Sequence, residues 1–149
     1  MPPLDPGQML IQLVPFVRTL GLTIEPTTIP GRAVARLPAR ADVNNHLGTA
    51  HAGAVYTVAE TASGTAALSV FGDAVAAGAF IALKESRVAH LKACAGEVTA
   101  MAALVDDPKA LRETYAASGK VDFPIEVSLA VGDVPTATMT FVWALRAPR

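Results

Sequence analysis

The chain is expected to adopt an α+β fold in which an antiparallel sheet wraps around one long central helix. Three observations carry that expectation. From Ala50 to Phe71 apolar residues recur at helical spacing, and the opposite face is nearly as uncharged. Residues 121–131 and 137–145 alternate strictly between large apolar and small or polar side chains, the pattern of a sheet with one covered face. At 149 residues, without internal repeat or linker, the chain is expected to form a single domain over residues 1–149.

The elements follow in order. Residues 7–20 predict a short amphipathic helix, with Met9, Leu13, Phe16, Val17 and Leu20 on one side and Pro15 weakening its middle. "GLTIEPTTIPGRAVARLPAR" reads as two short strands around the turn pair Pro30-Gly31. Residues 40–50 lack a period and form a loop running into the long helix. Two strands, "AFIALKESRVAHLKA" and "GEVTAMAALV", are separated by Cys94–Gly96 and are expected to pair with each other. "DDPKALRETYAASGK" predicts a helix with Asp106 or Asp107 as N-cap, Pro108 in the first turn and Gly119 as C-cap. "GDVP" at 132–135 joins the last two strands as a hairpin, for five or six mostly antiparallel strands in all.

Composition bounds the function. A net charge of −1 argues against a nucleic-acid partner. Arg32, Arg36 and Arg40 lie four apart, as a solvated strand face or as a cationic rim for a phosphate-bearing ligand. With 52% hydrophobic and 17% charged residues, the chain has more apolar surface than a monomer covers, so it is expected to oligomerise. Glu60 and several hydroxyls argue against reading the long helix as a membrane span. The first twenty residues lack the basic and small-residue pattern of a signal peptide, so a cytoplasmic location is expected. No P-loop, strand-linked GxGxxG or G-x-S-x-G elbow occurs. His46, His51, His90 and Cys94 lack metal-ligand spacing, so neither metal nor cofactor is expected, and Cys94 reads as a small buried hydrophobe.

Between Asn44 and Gly72 the one ionised side chain is Glu60. Its neighbours one helical turn away are Tyr56, Thr57, Ser63 and Gly64, none of them basic. Buried without a cation, such a carboxyl has a raised pKa and serves as a base near neutral pH; alternatively it meets an arginine across the fold or reaches water.

The order Asn45–x5–His51–Ala52–Gly53–x6–Glu60 resembles the active-site segment of hotdog-fold thioesterases of the phenylacetyl-CoA and hydroxybenzoyl-CoA type. The resemblance extends through "VNNHLGTAHAGA", "AGEVTA" and the final "FVWALR", nearly the whole chain. It implies a hotdog fold and hydrolysis of an acyl-CoA or acyl-carrier thioester. Glu60 would be nucleophile or general base, Ala52 or Gly53 would offer its N–H to the oxyanion, Asn45 would orient water or carbonyl, and His51 would hydrogen-bond near the thioester. Ala52 stands where a glycine is commoner, Glu60 where many relatives have aspartate, and Gly64 where some have a polar residue. Nine residues of helix separate His51 from Glu60 by about 13 Å along the axis. Both cannot reach one carbonyl carbon from one helix, so a homodimer or dimer of dimers is expected, with His51 of one chain meeting Glu60 of another. Two rivals are a hotdog dehydratase, for which Asp42 and His46 make a poor acid–base pair, and a non-catalytic acyl-CoA binding module.

Overall fold

A computed structural model describes residues 5–149. Asp5 opens the first helix by accepting the N–H of Gly7 through its carboxylate, and α1 (Pro6–Leu13) follows. The single expected helix is two: Val14 is extended ahead of Pro15, and α2 (Pro15–Thr19) restarts beyond it. A residue before proline avoids the helical region, so the weakening proline becomes a break.

Strands β1 (Thr23–Ile24) and β2 (Arg32–Leu37) flank the Pro30-Gly31 turn as expected, with Gly31 at φ 83°. A single 3-10 turn, Ala41–Val43, interrupts the loop that follows. The central helix α3 runs Ala52–Ala76, 25 residues, five beyond the expected end at Phe71. Ala54, Val55, Val58, Ala59 and the run from Thr61 to Leu68 are buried, which the all-apolar pattern required.

The remaining elements are β3 (Phe80–His90), β4 (Val98–Leu104), α4 (Pro108–Ser118), β5 (Lys120–Val131) and β6 (Val134–Arg146). In α4 Asp107 is the N-cap and Gly119, at φ 71°, ends the helix. The six strands form one antiparallel sheet in the order β1-β2-β4-β5-β6-β3. The expected pairing of β3 with β4 is not formed. β4 lies between β2 and β5, while β3 pairs only with β6 and is an edge of the sheet. Adjacent segments often separate in a sheet; here β4 and β5 both bury alternate residues on α3, and β3 is left outside.

The helix fills the inner face of the sheet. Phe123, Ile125, Phe141, Leu145, Leu37 and Val98 share one core with Val58, Ala62 and Ala66 of α3, all nearly inaccessible to solvent. Small residues on α3 let its backbone approach this layer closely. Trp143, whose indole ring comes within 3.5 Å of where a Cβ on Gly64 would lie, donates from Nε1 to Ser63 Oγ at 3.0 Å. With Leu10 of α1 on the same spot, Gly64 is covered rather than facing a ligand. The sole cysteine is buried, as a small hydrophobe would be.

Candidate functional site

The residues singled out in the sequence gather at the N-terminal half of α3 and the loop before it. Asn45 folds that loop onto itself. Its Oδ1 accepts the N–H groups of Leu47 (2.9 Å) and Thr49 (3.2 Å), and its Nδ2 lies 3.0 Å from Thr49 Oγ1. The backbone beyond it is pinned on two sides: Ala50 N–H donates to Cys94 O, and His51 N–H donates to Val43 O. Asn45 therefore shapes the segment that delivers His51; its amide is spent within the loop.

His51 is the N-cap of α3, with Nδ1 accepting the Gly53 N–H at 2.8 Å. An accepting Nδ1 places the proton of the neutral ring on Nε2, which is then a donor for whatever lies beyond it. The Gly53 N–H is occupied by this cap. The Ala52 N–H makes no hydrogen bond among the described residues, and it lies at the positive end of a 25-residue helix. His51, Ala52 and Gly53 are all exposed in the single chain.

Glu60 lies two and a half turns further along. Burial pushes its carboxyl above the ordinary glutamate value, and no cation or hydrogen-bond donor meets its carboxylate among the described residues. The ion pair with an arginine is thereby not formed within the chain. Nor does any hydrogen bond join Glu60 to His51 or Asn45 in one chain. The turn bearing Glu60 is fixed by its backbone, since Ser63 Oγ donates to Glu60 O at 2.8 Å while accepting from Trp143.

One turn before Glu60, Tyr56 packs edge-on against Phe141, with ring centroids 5.4 Å apart, and its hydroxyl lies 3.0 Å from Ser86 Oγ on β3. This link between the helix and the sheet edge escaped sequence reasoning. Tyr56 was legible as a residue on the Glu60 face, but its partner is 30 positions away on a strand whose register is unknowable from one sequence. Arg36 and Arg40 serve elsewhere, Arg36 meeting Glu25 at 2.7 Å and Arg40 meeting Asp42 at 2.8 Å. Arg36 lies on β2, whereas Arg40 lies beyond the strand at the start of the 3-10 turn. No cluster of three or more histidine, cysteine or acidic side chains able to hold a metal occurs among the described residues. No helix among them is long and apolar enough to cross a membrane.

A long helix wrapped by a six-stranded antiparallel sheet, with a capped N-terminus and a half-buried acid on that helix, defines a hotdog-fold protein of the thioesterase-like superfamily. Residues 7–145 match the family described as a domain of unknown function (DUF4442), and the chain belongs to that family. Solved structures agree on the fold. A thioesterase family protein from Silicibacter pomeroyi superposes with a TM-score of 0.77 at 24% identity, covering 96% of this chain and 97% of its own. A protein of unknown function from Pseudomonas aeruginosa, named a probable thioesterase, gives 0.79 at 25% identity, covering 95% and 94%. A protein of unknown function from Chlorobaculum tepidum gives 0.82 at 15% identity, covering 96% and 93%. No curated protein matches the chain.

Proposed function

We propose that this protein is a cytoplasmic acyl-CoA thioesterase, one hotdog domain over residues 1–149, working as a homodimer or dimer of dimers. The observation that carries this reading is Glu60, a half-buried carboxyl with a raised pKa and no cation partner among the described residues, on the helix whose N-terminus presents His51 and Ala52. The names of two structural relatives support thioester chemistry.

As general base, the Glu60 carboxylate takes a proton from water, whose oxygen attacks the thioester carbonyl carbon. The C=O π electrons move to oxygen, and the Ala52 N–H and the helix dipole stabilise the oxyanion. Collapse reforms the carbonyl and breaks the C–S bond. The thiolate leaves with the proton returned from Glu60, and the products are a carboxylic acid and a thiol. As nucleophile, Glu60 would form a mixed anhydride that water then opens, with the same products. His51 Nε2–H is the second donor near the carbonyl, Gly53 fixes the His51 ring, and Asn45 holds the loop on which both depend.

Nine helical residues, about 13 Å along the axis, separate His51 from Glu60, which supports a working pair drawn from two chains. Strand β3 supports that assembly. It presents an eleven-residue edge with no strand on its outer side among the described residues, and Ser86 on it contacts Tyr56 beside Glu60. Antiparallel pairing of two such edges brings two α3 N-termini into one assembly.

The test is thiol release from a panel of short, long and aromatic acyl-CoA thioesters, by wild type and by Glu60→Gln. Turnover by wild type that falls about 100-fold or more in the variant is expected. Binding of acyl-CoA without turnover would assign a non-catalytic module instead.

A further inference from the structure

A large concavity lies away from Glu60. Behind the C-terminal half of α3, between α1 and α4, a groove of about 1150 Å³ has a floor that includes Met9, Leu68, Gly72 and Ala116. Pro6, Met9 and Leu13 recur at i, i+3 and i+7 on α1, so the apolar stripe runs past the groove to Leu13, which is 66% exposed.

Four charged side chains line the groove, two of each sign. Arg112 and Asp73 are spent on each other: Nη1 and Nη2 of Arg112 donate to the two carboxylate oxygens at 2.9 and 2.7 Å, clamping α4 to α3. Lys109 and Glu113 have no ion-pair partner among the described residues. They lie four residues apart on α4, about 6 Å along the axis. Lysine before glutamate is the weaker order for an intrahelical pair, which leaves both charges available to a partner. An anionic ligand or lipid surface would meet Glu113 as readily as Lys109. A surface with opposite charges one turn apart is, however, complementary to itself under a two-fold axis.

We infer that this groove is an interface between two copies of the chain, with α4 antiparallel to its mate, so that Lys109 of each copy faces Glu113 of the other over the shared apolar floor. The inference is independent of the thioester chemistry and of the β3 edge. If β3 edges also pair, this face builds a dimer of dimers; if they do not, it builds a dimer.

Sedimentation equilibrium of the full chain at micromolar concentrations tests it. Lys109→Glu and Glu113→Lys should each weaken one association step at least about tenfold, because the two-fold axis repeats the repulsion. The combined Lys109→Glu/Glu113→Lys exchange should restore that step to within a few-fold of wild type. A third variant guards against misfolding. A Cβ at Gly72 meets nothing within 4 Å in the protomer, and leucine is the better helix former there. Gly72→Leu should therefore melt no lower than wild type yet fill the groove and block the same step. Single reversals that associate like wild type, or an exchange as weak as either single, would overturn the inference. So would a wild type with no association step that these variants shift. Thiol release by the same variants reports separately on Glu60, which none of them touches.

Discussion

The imidazole of His51 accepts the backbone N–H of Gly53 at 2.8 Å, so the residue that caps the central helix also holds the hydrogen two positions on. This single bond ties helix stability to ring orientation.

Gly53→Pro deletes the bond. Proline is tolerated in a first helical turn, so the chain should fold, at a cost of about 1 kcal/mol for the lost cap. Turnover should fall about 100-fold, the scale of one lost donor or its equivalent. Gly53→Ala is not a neutral control, because its methyl would lie 3.1 Å from His51 Nδ1 and must push the ring. Its kcat should fall between wild type and the proline variant, with circular dichroism confirming the fold of both. A folded proline variant with full kcat would leave Ala52 as the sole donor.

For Glu60→Gln, kcat should drop at least about 100-fold while KM changes little, since the loss is confined to the transition state. Stability gives a second reading. Burial holds the folded carboxyl above the ordinary glutamate value, so the folded state keeps its proton to higher pH than the unfolded chain. Wild-type stability therefore declines as pH rises from the unfolded value through the raised folded one, and stays lower above it. Glutamine carries no such penalty and should melt no lower than wild type at neutral pH. Wild-type activity should rise with pH through that raised value. Retained turnover with a stability loss of a few kcal/mol would instead mark Glu60 as half of a structural ion pair with a second copy of the chain.

Chains carrying His51→Ala and chains carrying Glu60→Ala should each be inactive alone. Mixed after unfolding and refolding together, they should recover activity, since one interface of each heterodimer then holds both intact groups. A mixture that stays inactive, with heterodimers verified by mass, would place the working pair within one chain.

Ser63→Ala removes the acceptor of the Trp143 indole N–H and the donor to Glu60 O. An unpaired N–H in this buried layer should cost about 1–3 kcal/mol in denaturant unfolding, more than a typical surface substitution. A loss below a few tenths of a kcal/mol would mean that water replaces the hydroxyl.

Local sequence patterns determined the long helix, the two alternating strands β5 and β6, the hairpin between them, and α4 with Gly119 as its C-cap, because each is a pattern of burial, turn or capping residues along the chain. The choice of Asp107 over Asp106 as N-cap came from the structure. The lone acid at Glu60 and the motif around His51 were legible for the same reason: residue type and spacing on one helix are one-dimensional facts. Strand partners were not. β3 and β4 look alike as isolated runs, and only the competition of all strands for the surface of α3 put β4 in the middle of the sheet and β3 at its edge. The tertiary structure also decided that Gly53 gives its N–H to His51 and that Tyr56 reaches Ser86. It likewise placed Trp143 where it steadies the turn bearing Glu60. Hydrogen bonds of this kind depend on side-chain directions and distances set by packing, and no spacing rule encodes them.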